Sequence, residues 1–444
     1  MKPVALADIR ACFEGAIPAV VATCGAEGVP NVAYISQVYY TDERHVALSF
    51  QFFNKTRQNI LANPFATLLL IHPHTAQFYR LHLRYQRTET EGPLFEGMKA
   101  QLAGIASHTG MQGVFRLLGS DVYEVEQIEA LEGQPLPAPA PRSGLLGAVR
   151  RAAERLARST SLDEALNAAL ASLGDFLDVR HAMILMLDAK TQRLYTVASC
   201  GYATSGVGSE VAMGEGLIGV AARERTPVRI GHMTSAYLYS QAMRSSLEAN
   251  VPDLESATEI PYPGLPEPHS QLAVPILSSG RLLGVLFAES PDDLAFNYED
   301  EDAFVAIAGH LGAAIELMQS APDTPEPTPA PQAPAPQGAP LLVRHFAAND
   351  SIFINDSYLI KGVAGAILWK LLQVREQQGR TEFTNRELRL DATLGLPDVS
   401  DNLEARLLLL QRRLAEHGPD LRMEKTGRGR FRLEVTRPVE LIAS

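Results

Sequence analysis

Cysteine is scarce: among 444 residues only Cys12, Cys24 and Cys200 occur, and no two of them stand in CxxC spacing. An odd count without paired spacing argues against a disulfide framework or a structural zinc site, and it points to a reducing, cytoplasmic setting. Long apolar runs are missing as well. Nothing approaches the ~18 consecutive apolar residues that span a bilayer. The opening stretch, MKPVALADIR, lacks the basic segment and apolar run of a secretory signal. No membrane partner is expected. Basic charge is also short: 39 Lys and Arg face 51 Asp and Glu, a net −12 that argues against a protein coating nucleic acid with its whole surface. The deficit is uneven. From Leu342 to Arg437 there are 16 basic residues against 13 acidic, so the acidity resides in the rest of the chain. A weakly basic tail on an acidic body is the asymmetry expected if only the tail meets an anionic partner.

Hydrophobic residues at 46% and charged residues at 20% give an ordinary globular composition. At a prior of about 150 residues per domain, the length suggests about three domains. Two segments divide it. GQPLPAPAPRSG follows Glu132, and APDTPEPTPAPQAPAPQGAP follows Ser320. Such Pro/Ala stretches favour extended polyproline geometry and act as semi-stiff spacers. The expected division is residues 1–132, a linker over 133–144, residues 145–320, a linker over 321–340, and residues 341–444.

In the first part, short β-type runs (AVVAT, NVAYISQVYY, HVALSF, ATLLLIH) alternate with turn residues. That pattern predicts an antiparallel barrel or sandwich, with a short helix in NKTRQNILANP ending at Asn63-Pro64. The second part reads helix, strands, insertion, hairpin, helix, an α+β sheet expected to carry its helices on one face. The third begins with short strands, continues with helices at AGAILWKLLQVREQ, NRELRLDATLG and DNLEARLLLLQRRLAEH, and ends in the hairpin RMEKTGRGRFRLEV.

The runs VPNVAYIS, HVALSFQFFNKTRQNILANP and Gly-Ser-Asp-Val-Tyr-Glu-Val resemble the pyridoxamine-phosphate-oxidase-like FMN-binding split barrel over residues 1–130. The resemblance implies FMN, with Ser49 and Gln51 near the flavin ring, Lys55 and Thr56 on the phosphate, and Asn59 nearby. The chemistry is sound, because a phosphate dianion needs a cation, hydroxyl or amide donors, and the dipole of a helix N-terminus. Solvated surface residues are the alternative. Haem is a second cofactor reading, through His72, His74 and His82, with His72 and His74 expected on one strand face; surface histidines are the plainer reading. No catalytic acid–base constellation and no paired metal spacing is evident.

VASCGY, GEGLIGVAARERTPVRI, the hairpin LAVPILSSGRLLGVLFAES and the closing helix resemble a GAF domain over about 158–320. Gly214, Gly216 and Gly219 spell GxGxxG, but outside a βαβ unit, so a dinucleotide site is not indicated. In the family these glycines turn the chain into a helix lining a ligand pocket. The resemblance implies a small-molecule site drawing on Cys200, Gly216, Tyr237, Tyr239 and Tyr262, or an empty domain used for dimerisation. Cys200 reads either as a redox-sensing thiol or as a buried structural cysteine.

YLIKGVAGAILWKLL, NRELRLD, DNLEARLLLLQRRLAE and MEKTGRGRFRLEV resemble the winged-helix output domain of response regulators. The recognition helix would run from Ser400 to His417. Asn402, Glu404, Arg406, Gln411, Arg412 and Arg413 are its polar candidates for DNA, with Arg428 and Arg430 on the wing. One departure stands out. Leu407-Leu408-Leu409-Leu410 circles the helix, so at least one leucine should be exposed unless another surface covers it, which admits a protein-binding role. The reading that follows is a homodimeric, ligand- or redox-responsive one-component transcriptional regulator. Its rivals are a flavin-dependent oxidoreductase regulated by its GAF domain, and a signalling scaffold.

Overall fold

A computed structural model describes residues 4–13, 18–35, 37–51, 55–108, 116–137, 144–232, 260–320, 338–394 and 403–443. Tyr237, Tyr239 and Asn402 lie outside these residues, as do half of the first proline-rich segment and most of the second.

The N-terminal domain is one antiparallel sheet. Its strands are β1 (Ala19–Cys24), β2 (Pro30–Ile35), β3 (Val38–Tyr40), β4 (His45–Phe50), β5 (Phe65–Ile71), β6 (Phe78–Glu89) and β7 (Gly119–Ala130), in the order β2-β1-β5-β6-β7-β4-β3. Alternation sorts the side chains: Val46 and Leu48 join Val21, Leu68, Leu81 and Tyr123 in one core. Ala47 and Val122 point the other way, onto Met98 and Leu102 of helix α2 (Pro93–His108). Helix α1 (Lys55–Ala62) bridges β4 and β5.

The middle domain opens with α3 (Leu145–Ala157) and α4 (Leu162–Leu177), whose Ser161 N-cap accepts from the Glu164 amide. Its sheet comprises β8 (His181–Asp188), β9 (Arg193–Cys200), β10 (Glu210–Ala212), β11 (Val228–Ile230), β12 (Ser270–Ser278) and β13 (Arg281–Ser290), ordered β10-β9-β8-β13-β12-β11. Between β12 and β13, Ser279 and Gly280 take φ of 50° and 75°. Two successive left-handed residues make the primed turn that matches strand twist. Helices α3, α4 and α6 (Tyr298–Ser320) cover one face. The expectation of helices on one face only is corrected, because α5 (Gly216–Glu224) packs on the other with Leu217, Ile218 and Val220 buried. That second face has its own apolar set, Met183, Leu185, Val285 and Phe287, so it too needs a cover.

The C-terminal domain has a sheet of β14 (Leu341–Phe346), β15 (Ser351–Ile354), β16 (Ser357–Ile360) and the final β20 (Val439–Ala443), which returns parallel to β14. Helices α7 (Gly362–Gln378), α8 (Asn385–Leu390) and α9 (Leu403–His417) follow, with β17 (Glu382–Thr384) preceding α8. A hairpin of β18 (Leu421–Gly427) and β19 (Arg430–Val435) pairs back onto β17. Thr384 and Glu387 form a reciprocal capping box that starts α8.

The domains touch. Helix α2 of the first lies on α5 and β11 of the second: Ala100 is fully buried there, and Gln101 Nε2 donates to the Arg229 carbonyl at 2.7 Å. A Cβ on Gly104 would stand 2.5 Å from Val228 Cγ1, so glycine permits this approach. The four consecutive leucines of α9 are covered by another surface, the alternative their sequence left open. Leu407, Leu408, Leu409 and Leu410 are 8, 7, 6 and 0% exposed, within an apolar core continuous from the middle domain into the C-terminal one.

Candidate functional sites

In the first domain, Ser49 faces Ser120 across β4 and β7, and the Ser49 amide donates to the Gln37 carbonyl at 3.4 Å. Gln37 and Ser120 are 5 and 0% exposed. Both side-chain polar atoms of Gln37, and Ser120 Oγ, have no hydrogen-bond partner among the described residues. Buried polar atoms are normally paired, so this row beside Ser49 retains unused hydrogen-bonding capacity. Gln51 follows β4 and is half-buried. Lys55 opens α1 in solvent, and Thr56 Oγ1 accepts from Asn31 Nδ2 at 2.9 Å. A cation and a hydroxyl at a helix N-terminus fit a phosphate.

Asn59 does not fit, which corrects its expected place beside the phosphate. It is 1% exposed, donates to Thr23 Oγ1 at 3.2 Å, and backs onto Gly25, thereby fastening α1 to β1. The next basic residue, Arg57, is engaged internally. Its guanidinium meets Asp121 at 2.5 Å and Thr88 at 2.9 Å, and lies over the Phe50 ring. Burial raises the Asp121 carboxyl, while Thr88 and Arg57 pull against that shift.

The His72 and His74 rings lie 5.9 Å apart. His72 and His74 sit in the turn after β5 rather than on a strand, which corrects the shared-face expectation. His72 Nδ1 accepts from the His74 and Thr75 amides at 3.3 Å each, and His82 Nε2 meets Glu129 at 3.2 Å. Among the described residues no group of three or more His, Cys, Asp or Glu could hold a metal.

In the middle domain Gly214 and Gly216 take φ of 86° and 58° as the chain enters α5, and a Cβ on Gly219 would lie 2.2 Å from the Ala212 carbonyl. The glycines therefore serve a tight turn and a close backbone approach. Cys200 is not on this side. It packs against the α4 face and lines a recess with Asn167, Leu170 and Gly174, which corrects its grouping with Gly216 and Tyr262. Burial pushes its thiol up, opposed by the Ala182 amide, so it lacks the lowered pKa of a reactive thiolate.

The α5 face carries a polar cluster that the sequence reading missed. Glu289 is 2% exposed; its carboxylate accepts from the Leu265 amide at 2.7 Å and from Gln271 Nε2 at 3.0 Å. The Tyr202 phenol stands beside it, close to Tyr262. The Tyr202 ring meets His181 at 5.6 Å, and His181 Nδ1 is buried without a hydrogen-bond partner among the described residues. Burial raises the Glu289 carboxyl and lowers the His181 imidazole. Strand alternation was the signal: Val285, Phe287 and Glu289 share one face, so a carboxylate sits where an apolar residue belongs.

The third cluster lies where α9 meets the middle domain. Arg406 is 4% exposed and pairs with Asp188 at 3.2 Å. Arg412 donates to the Val197 carbonyl at 2.6 Å, to Asp163 at 2.5 Å and to Asn167 at 2.9 Å. Val197 lies at the register shift where β9 slips against β8. Arg413 donates to the Leu359 carbonyl and to Glu416, and Glu416 accepts from Ser205. The three α9 arginines among those expected on DNA are thus engaged within the chain in this conformation, which corrects their expected exposure. Arg428 is exposed and Arg430 half-buried on the hairpin. Burial alone would raise Asp188, but Arg406 and the Lys190 and Thr191 amides carry it below its ordinary value. A depressed carboxyl stabilises above its unfolded pKa and loses that contribution as pH falls through the folded one. The α9 contact is therefore expected to persist unchanged from pH 8 to about 5 and to weaken only below about pH 4. A constant radius of gyration by small-angle scattering over the upper range checks this.

Comparison with known proteins places two families on this chain. Residues 6–128 match the pyridoxamine 5'-phosphate oxidase family and residues 159–316 match the GAF domain family. The chain therefore contains a pyridoxamine-phosphate-oxidase-like domain followed by a GAF domain. Among solved structures, it is similar to the GAF domain of a phosphoenolpyruvate-protein phosphotransferase from Acinetobacter (22% identity, 41% of this chain and 99% of that one, TM-score 0.33). An FMN-binding protein from Syntrophomonas wolfei matches at 15% identity (29% of this chain, 86% of that one, TM-score 0.25). Free methionine-R-sulfoxide reductase from Neisseria meningitidis matches at 18% identity (41% and 95%, TM-score 0.31). None of the curated proteins matches the chain. No helix among the described residues is long and apolar enough to cross a membrane.

Proposed function

We propose that this chain is a ligand- or redox-responsive one-component transcriptional regulator that works as a homodimer. The split-barrel domain and the GAF domain receive signals, and the helix–helix–hairpin unit of α8, α9 and β18–β19 is a winged helix that delivers the output to DNA. The observation that carries this reading is the position of the GAF domain, packed on one side against α2 and on another against α9. A sensory module wedged between a cofactor-type domain and a terminal basic domain is arranged to relay a change from one to the other. In the barrel, Lys55 and Thr56 would hold the FMN phosphate, with Ser49, Gln51 and the unused polar atoms of Gln37 and Ser120 toward the ring. FMN bound there would supply reversible electron transfer. In the GAF domain the ligand would meet Tyr202, Tyr262 and Glu289 above α5. Arg428 and Arg430 would take phosphate contacts on the hairpin.

The full chain, purified without added cofactor, should show a flavin absorption spectrum or acquire one on titration with FMN, and acid should release the flavin. Lys55→Ala should weaken FMN uptake by about 10-fold or more, as expected for loss of a charge-assisted phosphate contact. A colourless protein that leaves FMN fluorescence unquenched would remove the flavin from the proposal.

A further inference from the structure

We propose that the GAF domain holds the C-terminal domain in a closed state that excludes DNA, by occupying the outward face of α9. The inference rests on the DNA-binding reading above and adds a regulatory step to it. The contact is built on both sides. From α9, Leu407 and Leu408 share a buried apolar cluster with Leu162 of α4 and line a recess with it, while Arg406 and Arg412 reach across. From the GAF domain come Asp188, Asp163, Asn167 and the Val197 carbonyl, the last at the β8–β9 register shift. Gly208 is part of the fit. A Cβ there would stand 3.5 Å from Arg413 Cδ and 3.7 Å from Leu409 Cδ1, and its φ of +92° reserves the position for glycine. Outside the helix, Lys361 pairs with Glu210 at 3.5 Å.

Three properties make this a latch. Its arginines are those whose position on the helix suits DNA, so acidic GAF side chains and DNA phosphates compete for the same cations. Its polar members include two carboxylate–guanidinium pairs, Arg406–Asp188 and Arg412–Asp163, strong only while both partners stay in register. And two of its GAF members, Asp188 and Val197, sit on β8 and β9, strands whose opposite face carries Met183, Leu185 and, at its end, His181 and Tyr202. A ligand that moves these strands moves Asp188 and Val197 with them. If about one molecule in a hundred is open, the apparent DNA affinity is about 100-fold below the intrinsic one.

The opening variant leaves the C-terminal domain untouched and alters only the GAF side. Asp163→Ala with Asp188→Asn, in the full chain, removes both acidic partners, and the asparagine can still accept from the Lys190 and Thr191 amides that Asp188 holds at 2.9 and 3.3 Å. Opening is read by small-angle scattering and by tryptic cleavage within α9. DNA binding is read by fluorescence anisotropy with a labelled 30-base-pair random-sequence duplex at low and moderate salt. The double variant should expand, become cleavable in α9 and bind the duplex at least about 30-fold more tightly, with a salt dependence steeper than that of the parent. Arg428→Ala with Arg430→Ala in the opened background should weaken the duplex without reclosing the chain. A parent chain that already binds as tightly as the variant overturns the latch while leaving the DNA reading intact. A variant that opens and shows no salt-dependent binding overturns the DNA reading, and the latch with it. A variant that keeps the parent's scattering profile overturns the two carboxylates as its fastening.

Discussion

Replacing Arg57 by alanine should destabilise the N-terminal domain by about 3–5 kcal/mol, the range for removing one partner of a buried ion pair. Arg57 and Asp121 have side chains 12 and 7% exposed, and they share Thr88 between them. Removing the guanidinium leaves a carboxylate that burial already drives toward the neutral form. It also uncovers the Phe50 and Tyr85 rings, over which the guanidinium sits at 4.6 and 5.6 Å. Hydrogen exchange of the β4 and β7 amides should accelerate together. A volume-matched apolar pair, Arg57→Met with Asp121→Leu, should recover most of the loss, because the penalty comes from the unpaired charge rather than from the missing bond. Failure of that rescue would assign the loss to the guanidinium's contacts with Phe50, Tyr85 and Thr88 rather than to the unpaired carboxylate.

Gly201→Val should cost about 3 kcal/mol or more and disorganise the polar cluster on the GAF sheet. Two separate effects add. Gly201 has φ of +85°, a region that penalises a β-branched side chain. A Cβ would also lie 1.9 Å from the Arg180 carbonyl, and backbone cannot step aside as a side-chain tip can. Gly201 immediately precedes Tyr202, so any relief of the clash moves that phenol away from Glu289 and His181. Thermal unfolding should shift downward. A small ligand found to stabilise the parent domain should lose its effect in the variant. An unchanged melting temperature would contradict the backbone geometry described for this turn.

Much of this architecture is legible in the amino-acid order. Period-two alternation around HVALSF, the Ser279-Gly280 turn and the helical spacing of the α4 segment are local signals, and local signals survive without a third dimension. What was not legible is contact between distant segments. LLLL reads as a departure from a recognition helix until α4 and β9 are seen to cover it. Arg406 and Arg412 read as DNA ligands because their partners Asp188 and Asp163 lie more than two hundred residues earlier. Asn59 illustrates a subtler limit. Its place next to Lys55 and Thr56 in sequence says nothing about which side of α1 faces inward, and Thr23 and Gly25 decide that. Cys200 and Gly216 likewise resemble one family's pocket on paper, yet the sheet stands between them.

The seam between α2 and the GAF domain has a practical bearing on how this chain can be divided. Ala100, Leu217 and Val228 belong to one buried group, and Lys99 pairs with Glu224 across it at 3.2 Å. Cutting after Ala130 would bare an apolar strip on both fragments at once. Each piece, expressed by itself, would then meet solvent with a surface shaped for the other, and stickiness or self-association would follow from the cut rather than from native assembly. Mixing the two fragments should restore a one-to-one complex. The first two domains are in that sense a single inheritable unit, and grafting either onto an unrelated partner would require a replacement for the helix that joins them.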